Sequence, residues 1–224
     1  MPDGPDAHHR RSIRLPGYDY TQAGSYFVTI TVQNRESLFG NIANGEIRLN
    51  NAGKMVSAVW ATLPEQFPDI ESNIYVVIPN HFHGIITIVR ASLVGAHPKV
   101  DIEDIDSASK TRAGTRPAPT DLGNVIGAFK SITTVQYVHG VKELGWPPFS
   151  LRLWQRNYYE HVIRDEDSLQ RVQEYILTNP ARWHLDRENS DDEGKDDFDV
   201  WLELESRDRL SETYGTCKLP PLPI

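Results

Sequence analysis

The sequence predicts an α+β fold in which an antiparallel sheet carries helices on one face. Apolar residues switch along the chain between alternation, which is typical of strands, and a spacing of three and four, which is typical of helices. The resulting order is strand, helix, strand, strand, helix, strand, helix. We therefore expect a ferredoxin-like sandwich with one more helix at its C-terminal end.

The first half of the chain supplies one strand, a hairpin and a helix. Residues 25–33, SYFVTITVQ, alternate and are rich in β-branched and aromatic residues, which predicts a strand. The pair Asn44-Gly45 lies between two short apolar runs and predicts a hairpin turn. Residues 52–67 place apolar side chains at helical spacing, and we expect Pro64 to end or kink that helix.

The second half supplies three strands and two helices. Residues 73–79 and 82–89, NIYVVIP and FHGIITIV, predict two strands joined by a tight turn. Residues 121–140 predict a second helix, and residues 151–164 a fourth strand. Residues 165–179 predict a third helix, whose acidic first turn suits the helix dipole.

Three segments lack such periodicity, and we expect them to be appendages of a folded body at residues 24–185. Residues 1–23 are basic and interrupted by proline and glycine, which indicates an arm. Residues 91–120 are rich in Ser, Ala, Thr, Pro and charge, which predicts a mobile linker inside the body. Residues 186–224 form an acidic, aromatic-poor tail.

The net charge of -8 argues at first against a nucleic-acid partner, but it is unevenly distributed. Residues 186–212 hold 12 of the 31 acidic residues and 4 of the 23 Lys and Arg. Residues 101–106 hold four more acids and no Lys or Arg. Outside these two stretches 15 acidic residues face 19 basic ones, so the rest of the chain is mildly basic and permits a polyanionic partner without requiring one.

Several classes of protein are disfavoured by composition. The chain has no run of eighteen apolar residues and no hydrophobic N-terminal segment, so we expect neither a membrane span nor a signal peptide. Its single cysteine, Cys217, excludes an internal disulfide framework and a cysteine-based zinc site. These features together predict a cytoplasmic protein.

Two histidines interrupt the apolar stretch VIPNHFHGIITIV. His81 and His83 would project from the same face of a strand, with Phe82 pointing to the other face. Two adjacent imidazoles can share one metal ion, and their softness would favour zinc with a third ligand from elsewhere. They can equally be half-exposed strand histidines that hydrogen-bond to neighbours, and the spacing alone leaves both interpretations open.

Tyr175 and Asn179 lie four residues apart on the last predicted helix, hence on one face of it. A tyrosine beside an apolar stripe and an asparagine before Pro180 are ordinary features of a helix end. Read together with the histidines, Tyr175 and Asn179 suggest a nucleophile and a third metal ligand. Tyrosine is a competent nucleophile at phosphorus when a metal polarises the phosphate, and an amide oxygen can be the third ligand.

At these residues the sequence resembles the single-tyrosine HUH transposases and, within them, the REP-associated tyrosine transposases. His81, Phe82 and His83 match the histidine–hydrophobic–histidine motif. The family's later strand, W-Q-x-x-[YFW]-[YW]-[ED]-H-x-I-R, and its helix with Y-I-x-x-N-P are matched by WQRNYYEHVIRDE and EYILTNP. The segments RRSIRLPGYDYTQAGSYFVTI, GEIRLNNAG and IGAFKS are similar too. The resemblance spans about residues 10–185 and departs at NPARW, where the family more often has NPV and a basic residue.

The resemblance implies a ferredoxin-like fold with the histidine pair on a central strand and the nucleophile on a C-terminal helix. It implies that Tyr175 attacks the scissile phosphate of single-stranded DNA, forming a 5′-phosphotyrosine and freeing a 3′-hydroxyl. His81, His83 and Asn179 would hold Mg²⁺ or Mn²⁺ in place of zinc. The DNA would carry a hairpin beside the cleavage site, and the active unit would be a monomer or a homodimer.

Further residues are candidates for DNA contact or for the nucleophile. Tyr158 and Tyr159 are rival nucleophiles by residue type, but they stand where the family often has other aromatics, and we expect His161 to be structural. Basic grooves and aromatic side chains hold single strands. The candidate DNA contacts are Arg10, Arg11 and Arg14 on the arm, Lys130 on the middle helix, and Arg152, Trp154 and Arg156 before the fourth strand.

Two other functions stay open at this point. The same metal site could run hydrolytic cleavage of a phosphodiester with water as the nucleophile and no covalent adduct. Alternatively, the chain could be a domesticated transposase that binds a DNA hairpin without cutting it, although the intact set of His81, His83, Tyr175 and Asn179 argues against lost catalysis. A further hypothesis is that the acidic tail covers the site when DNA is absent.

Overall fold

The computed structural model describes residues 18–72, 74–89, 120–189 and 196–214, with side chains of the last range described to residue 205. Arg10, Arg11 and Arg14 and most of the expected 91–120 linker lie outside the described residues. The elements in chain order are β1 (Gly24–Thr31), β2 (Gly40–Ala43), β3 (Glu46–Leu49), α1 (Asn51–Ala61), α2 (Leu63–Gln66), β4 (Ile70–Glu71), β5 (Tyr75–Ile78), β6 (His81–Ile88), α3 (Leu122–Glu143), β7 (Tyr159–Ile163), α4 (Glu166–Thr178), a 3-10 helix (Asn179–Leu185) and α5 (Asp197–Tyr214).

The main sheet is antiparallel, and β1 and β6 are its central strands. They pair along their full length, from Gly24 opposite Ile88 to Thr31 opposite His81. Strand β7 pairs with the free side of β1, while β5 and β4 pair with successive parts of the free side of β6. With α1 before β5 and α3 before β7, this is the predicted β-α-β-β-α-β sandwich.

Helices cover both faces of this sheet. Helices α1 and α3 pack on one face, where Phe82 of β6 lies against the rings of Trp60 and Phe129 at centroid distances of 4.4 and 5.1 Å. Helix α4, the predicted extra helix that carries Tyr175, packs on the opposite face. The first turns of α5 join it there through Phe198 and other apolar side chains. The histidines of β6 point toward this second face.

A glycine on β6 makes the close packing of the first face possible. A Cβ atom at Gly84 would lie 2.7 Å from the ring of Trp60 and 2.8 Å from that of Phe82. Glycine weakens a strand but lets another group approach its backbone closely. Here it lets the ring of Trp60 approach the strand and pack against Phe82, which lies between the two histidines.

The sequence predicted most elements but misjudged some boundaries. Asn44 and Gly45 have φ of 56° and 76° and form the predicted hairpin turn between β2 and β3. Helix α1 ends at Ala61, and Pro64 lies in the first turn of the short α2 that follows. The predicted strand at 151–164 is shortened to Tyr159–Ile163, because Leu151 has a φ of 61° and only Trp154 bridges to Val32 before it.

The segment expected to be a tail contains α5, whose first residues are apolar enough to pack against the sheet. Among the helices that the structure describes, none combines the length and hydropathy that a membrane crossing requires.

Candidate metal centre

His81 and His83 begin the central strand β6, and their side chains share its second face. Both imidazoles are buried, and their Nε2 atoms are 2.9 Å apart. Two ring nitrogens at that distance need a proton or a cation between them, because two lone pairs would repel each other. The predicted strand alternation therefore places both imidazoles on one face, where they can bind the same ion.

Hydrogen bonds to the other ring nitrogens orient the pair. Asn80 donates from Nδ2 to the carbonyl oxygens of Glu188 and Arg35, at 2.7 and 3.3 Å, so its Oδ1 is left to accept from His81 Nδ1–H at 2.8 Å. Thr29 Oγ1 lies 2.9 Å from His83 Nδ1. Partners of this kind fix the tautomer and ring orientation of metal-binding histidines. For His81 they leave the lone pair on Nε2.

Burial also keeps His81 neutral. Desolvation lowers the pKa of His81 to about 3, although the nearby carboxylate of Asp186 opposes the shift. A neutral imidazole is the form that binds metal ions. The indole of Trp183 stacks over the His81 ring at a centroid distance of 5.8 Å and helps to close this side of the site.

A carboxylate that the sequence did not single out completes the cluster. Asp186 directly follows the 3-10 helix, and its Oδ2 lies 3.6 Å from His81 Nε2 and 3.7 Å from His83 Nε2. Burial raises the pKa of Asp186, but the two histidines and a hydrogen bond from Asn179 outweigh it, so the pKa is well below its usual value. The carboxylate is therefore buried and ionised, with its charge facing the imidazoles.

Asn179 and Tyr175 reach the same point from α4. Asn179 donates from Nδ2 to Asp186 Oδ2 at 2.6 Å. The hydroxyl of Tyr175 donates to the same oxygen at 3.3 Å and lies 3.4 Å from His83 Nε2. Burial, followed by the negative charge of Asp186, raises the pKa of Tyr175 well above its ordinary value. All four residues that the sequence combined into a site thus meet in one buried cluster, together with Asp186.

The donor set fits a metal ion. One ligand atom from each of His81, His83 and Asp186 lies within 4.8 Å of the other two. The Oδ1 of Asn179 is buried and has no hydrogen-bond partner among the described residues. A buried acceptor without a partner is costly, and a cation bound by the neighbouring ligands would satisfy it. Two imidazoles with carboxylate and amide oxygens suit a divalent ion of the first transition series or Mg²⁺.

Sequence reasoning missed Asp186 because it opens an acidic run and was assigned to the tail. One local feature of the sequence could have indicated Asp186: it directly follows Leu185 and lies close to Trp183, two apolar residues typical of a segment that still packs against the body. Its neighbour Asn189 donates to the carbonyl of Trp183, which folds the chain back at this point.

The candidate DNA contacts within the described residues differ in exposure. Arg152 and Arg156 are exposed. The ammonium of Lys130 donates to the carbonyl oxygens of Gln155, Arg156 and Asn157 at 2.7, 3.1 and 3.4 Å, and burial lowers its pKa to about 8. Lys130 therefore fastens the loop before β7 to α3.

Trp154 requires a correction. It is 3% exposed, packs against Phe39 and Phe129, and donates its indole N–H to Thr133 Oγ1 at 2.8 Å. Both faces of the ring are enclosed, so in this structure Trp154 is part of the core and offers no stacking surface to a base.

The remaining aromatic candidates have structural surroundings. Tyr158 is half-buried, with the ammonium of Lys130 5.9 Å from its ring centre. Tyr159 is half-buried against Phe27, and the guanidinium of Arg187 lies 4.8 Å from its ring centre. His161 is buried beside Trp201, at a centroid distance of 5.3 Å.

Comparison with known proteins finds similarity both in sequence and in structure. No family model matches the chain. A protein of Haemophilus influenzae, named only "Uncharacterized protein", is 37% identical over 180 residues, which cover 80% of this chain and 93% of the relative.

Solved structures with a similar fold include the following two proteins. One is a REP-associated tyrosine transposase bound to a REP hairpin, with 19% identity, a TM-score of 0.46, and coverage of 76% of this chain and 74% of the other. The second is a Deinococcus radiodurans protein provisionally described as a transposase, with 13% identity, a TM-score of 0.41, and coverage of 73% and 95%.

Proposed function

We propose that this chain, which belongs to the same family as the Haemophilus influenzae protein, cleaves and transfers single-stranded DNA. The proposed reaction depends on a metal ion and passes through a covalent phosphotyrosine. One observation carries this proposal: the hydroxyl of Tyr175 lies 3.4 Å from His83 Nε2, at the edge of a cluster that can hold a cation. A nucleophile beside a metal that activates the phosphate is the arrangement that phosphoryl transfer to tyrosine requires.

The residues that would hold the ion are His81, His83 and Asp186, with the unpartnered Oδ1 of Asn179 as a fourth donor. Mg²⁺ or Mn²⁺ bound there would polarise the scissile phosphate and stabilise the charge that develops on it. Asn80 and Thr29 keep the imidazoles turned toward that position. Trp183 and the surrounding core exclude water from one side of it.

Tyr175 supplies the nucleophile. As its Oη forms a bond to phosphorus, the bond from phosphorus to the 3′ oxygen breaks, and the proton lost by the tyrosine balances the one gained by that oxygen. The raised pKa of Tyr175 means that the hydroxyl is neutral until the reaction begins. A phosphoester is exchanged and not hydrolysed, so attack by another 3′-hydroxyl reverses the step and joins a new strand.

The substrate class follows from the resemblance of the motifs around His81, Tyr175 and Asn179 to tyrosine transposases. We propose that the chain acts as a transposase on single-stranded DNA that carries a hairpin. The exposed Arg152 and Arg156, together with Arg10, Arg11 and Arg14 of the arm, are the proposed phosphate contacts outside the catalytic cluster.

A denaturing gel of the purified protein with labelled, hairpin-bearing single-stranded DNA and Mg²⁺ or Mn²⁺ tests the proposal. We expect a protein–DNA band that survives denaturation, requires the metal, and disappears in Tyr175→Phe and in His81→Ala. Tyr158→Phe is the matched control, because Tyr158 is a half-buried tyrosine on the other side of the sheet, and it should keep the band.

Two other results would overturn the proposal in different ways. Cleavage that persists in Tyr175→Phe and leaves no adduct would assign a hydrolytic nuclease. Hairpin binding without cleavage, by the wild type in either metal, would assign a binding module.

A further inference from the structure

Leu151 lies in the loop between α3 and β7 and, among the large apolar residues that the structure describes, it is the most exposed. It is 98% exposed, and its φ of 61° is in the left-handed region, which leucine rarely adopts. The N–H of Arg152 donates to the carbonyl oxygen of Ser150 at 2.6 Å, so the chain reverses around Leu151 within three residues. Turns of this kind with a positive φ at the central residue are rare and strained. A leucine that is held out in a strained turn points to a function for its side chain.

Both ends of this turn are anchored, so the fold holds the strained backbone in place. On its N-terminal side, Tyr137 of α3 donates its hydroxyl to the carbonyl oxygen of Pro147 at 3.0 Å, and the ring of Phe149 packs on that of Tyr137 at a centroid distance of 5.6 Å. On its C-terminal side, Leu153 is fully buried, and its carbonyl oxygen accepts from the N–H of Gln33 at 2.9 Å. The exposed side chain therefore projects from a fixed base.

The loop lies at the end of the sheet that carries the metal centre. The N–H of Gln155 donates to the carbonyl oxygen of Thr31 at 2.9 Å, and Thr31 is the β1 residue opposite His81. The next residue, Val32, donates its N–H to the carbonyl oxygen of Asn80 at 2.8 Å. The end of one strand, β1, thus separates the loop from the start of β6, so a single ligand can contact both.

The loop itself is positively charged. Residues 144–158, LGWPPFSLRLWQRNY, contain two arginines and no acidic residue. Both of them, Arg152 and Arg156, are exposed, and the three carbonyl oxygens that Lys130 binds fix the backbone around Arg156. Guanidinium groups bind phosphate oxygens, often through two parallel N–H bonds. The loop thus presents cations beside a projecting apolar side chain.

The DNA already proposed as the substrate offers one apolar surface that suits this side chain. Where the stem of a DNA hairpin meets a single strand, the face of the last base pair is open to water, and covering it with an apolar side chain is favourable. DNA-binding proteins use leucine as a wedge against base steps, with cations on the neighbouring phosphates. Leucine carries no ring on which the bases of a single strand could stack, so the end of a stem fits it better than an unpaired strand does.

We propose that Leu151 packs on the last base pair of the hairpin stem, at the junction with the single strand, and that Arg152 and Arg156 bind the phosphates beside that junction. This rests on the proposed function, because it names the part of the hairpin-bearing DNA that the loop recognises. A fixed contact at the junction sets how far the scissile phosphate lies from the stem.

Leu151→Gly separates DNA binding from folding. Glycine adopts a positive φ without strain, so the free energy of unfolding in urea should not fall. The affinity of the full-length protein for a fluorescein-labelled stem–loop oligonucleotide with a single-stranded extension should fall by on the order of tenfold, because the burial of one leucine side chain is lost. Fluorescence anisotropy without divalent metal measures this in the absence of cleavage. A loss of stability that accompanies the loss of affinity would assign Leu151 a structural role and overturn the proposal.

Leu144→Ala is the matched control, because it removes another exposed leucine side chain from the same loop, at the C-cap of α3, where Leu144 is 62% exposed. It should leave the affinity unchanged. An equal loss in both variants would assign the binding to the general apolar character of the loop and overturn the role of Leu151. Wild-type affinity in Leu151→Gly would leave the leucine to a protein partner and overturn the contact with DNA.

A second oligonucleotide tests for the junction itself. It has the same length and composition, but its order is scrambled so that no stem forms. The wild type should prefer the stem-bearing oligonucleotide, and Leu151→Gly should lose most of that preference while it binds the unpaired strand as the wild type does. Equal losses for both oligonucleotides would place Leu151 on the single strand and overturn the proposal.

The results separate this proposal from the proposed function. A preference for the stem that depends on Leu151, without any covalent adduct in the gel, would keep the junction contact and overturn the transesterase. A metal-dependent adduct in the wild type and in Leu151→Gly, with equal affinities for the stem, would keep the transesterase and overturn the junction contact.

Discussion

Asn179 holds Asp186 through a 2.6 Å hydrogen bond from its Nδ2, while the Oδ1 of the same amide is buried without a partner among the described residues. One end of the amide thus fixes a carboxylate next to the histidine pair, and the other end is a buried acceptor that no described residue pairs with. Proteins rarely leave a buried acceptor unsatisfied. The arrangement indicates that the cluster is built to receive a cation.

Asp186→Asn tests whether the carboxylate is a ligand. The change keeps the volume but removes the negative charge, so the affinity for Mn²⁺ should fall. Changing a residue that only supports a metal ligand costs about 10- to 100-fold in affinity, and the loss of a ligand should cost at least as much. Calorimetric titration with Mn²⁺ measures it. Asp197→Asn removes an exposed carboxylate nearby and should change nothing. Equal affinity in both variants would show that Asp186 does not bind the ion.

Asn80 is predicted to act through His81, and two substitutions separate its roles. Asn80→Ala removes the acceptor for His81 Nδ1–H and both donors to carbonyl oxygens, so Mn²⁺ affinity should fall roughly 10- to 100-fold. Asn80→Asp keeps the acceptor and loses the donors, so it should lower the stability but restore most of the metal affinity. Equal metal affinity in the two variants would contradict a positioning role.

The elements that the sequence predicted are those set by local periodicity. The alternation in HFHGIITI places His81 and His83 on one face of β6, and the four-residue spacing places Tyr175 of α4 and its C-cap Asn179 on one face. Both relationships depend only on the geometry of a single element. The structure brings the two elements together because Phe27, Ile85 and other apolar residues join them into one core.

The features that the sequence misjudged depend on how distant segments meet. Asp186 belongs to the cluster because the 3-10 helix turns the chain back toward β6, which composition does not reveal. Its acidic neighbours instead suggested a solvated tail. Trp154 looked like a DNA contact because arginines flank it. Its ring is instead buried in the core, where the indole N–H donates to Thr133 of α3. In each case a long-range contact overrode a local charge pattern.

Phe82 should be required for the stability of the strand that carries the histidines. It is fully buried between the rings of Trp60, Phe129 and Tyr75, so Phe82→Ala should lower the free energy of unfolding by about 3–5 kcal/mol. Urea denaturation measures this. Val135→Ala alters a 67% exposed residue and should cost less than about 0.5 kcal/mol. A similar loss in both variants would mean that Phe82 is not a core anchor.

Asp199 should make the docking of α5 depend on pH. Burial raises its pKa from 3.8 to about 6 when α5 is docked, with Arg187 opposing and nearby carboxylates reinforcing the shift. Protonation of Asp199 therefore favours docking. The free energy that it contributes to docking is full below pH 4, is lost as the pH rises through about 6, and changes little above pH 7. Amide exchange of 197–205, corrected for the intrinsic rate, should be faster at pH 7 than at pH 5. Asp199→Asn should slow it at pH 7 and remove most of the difference, and an unaltered pH dependence in that variant would assign the effect to another group.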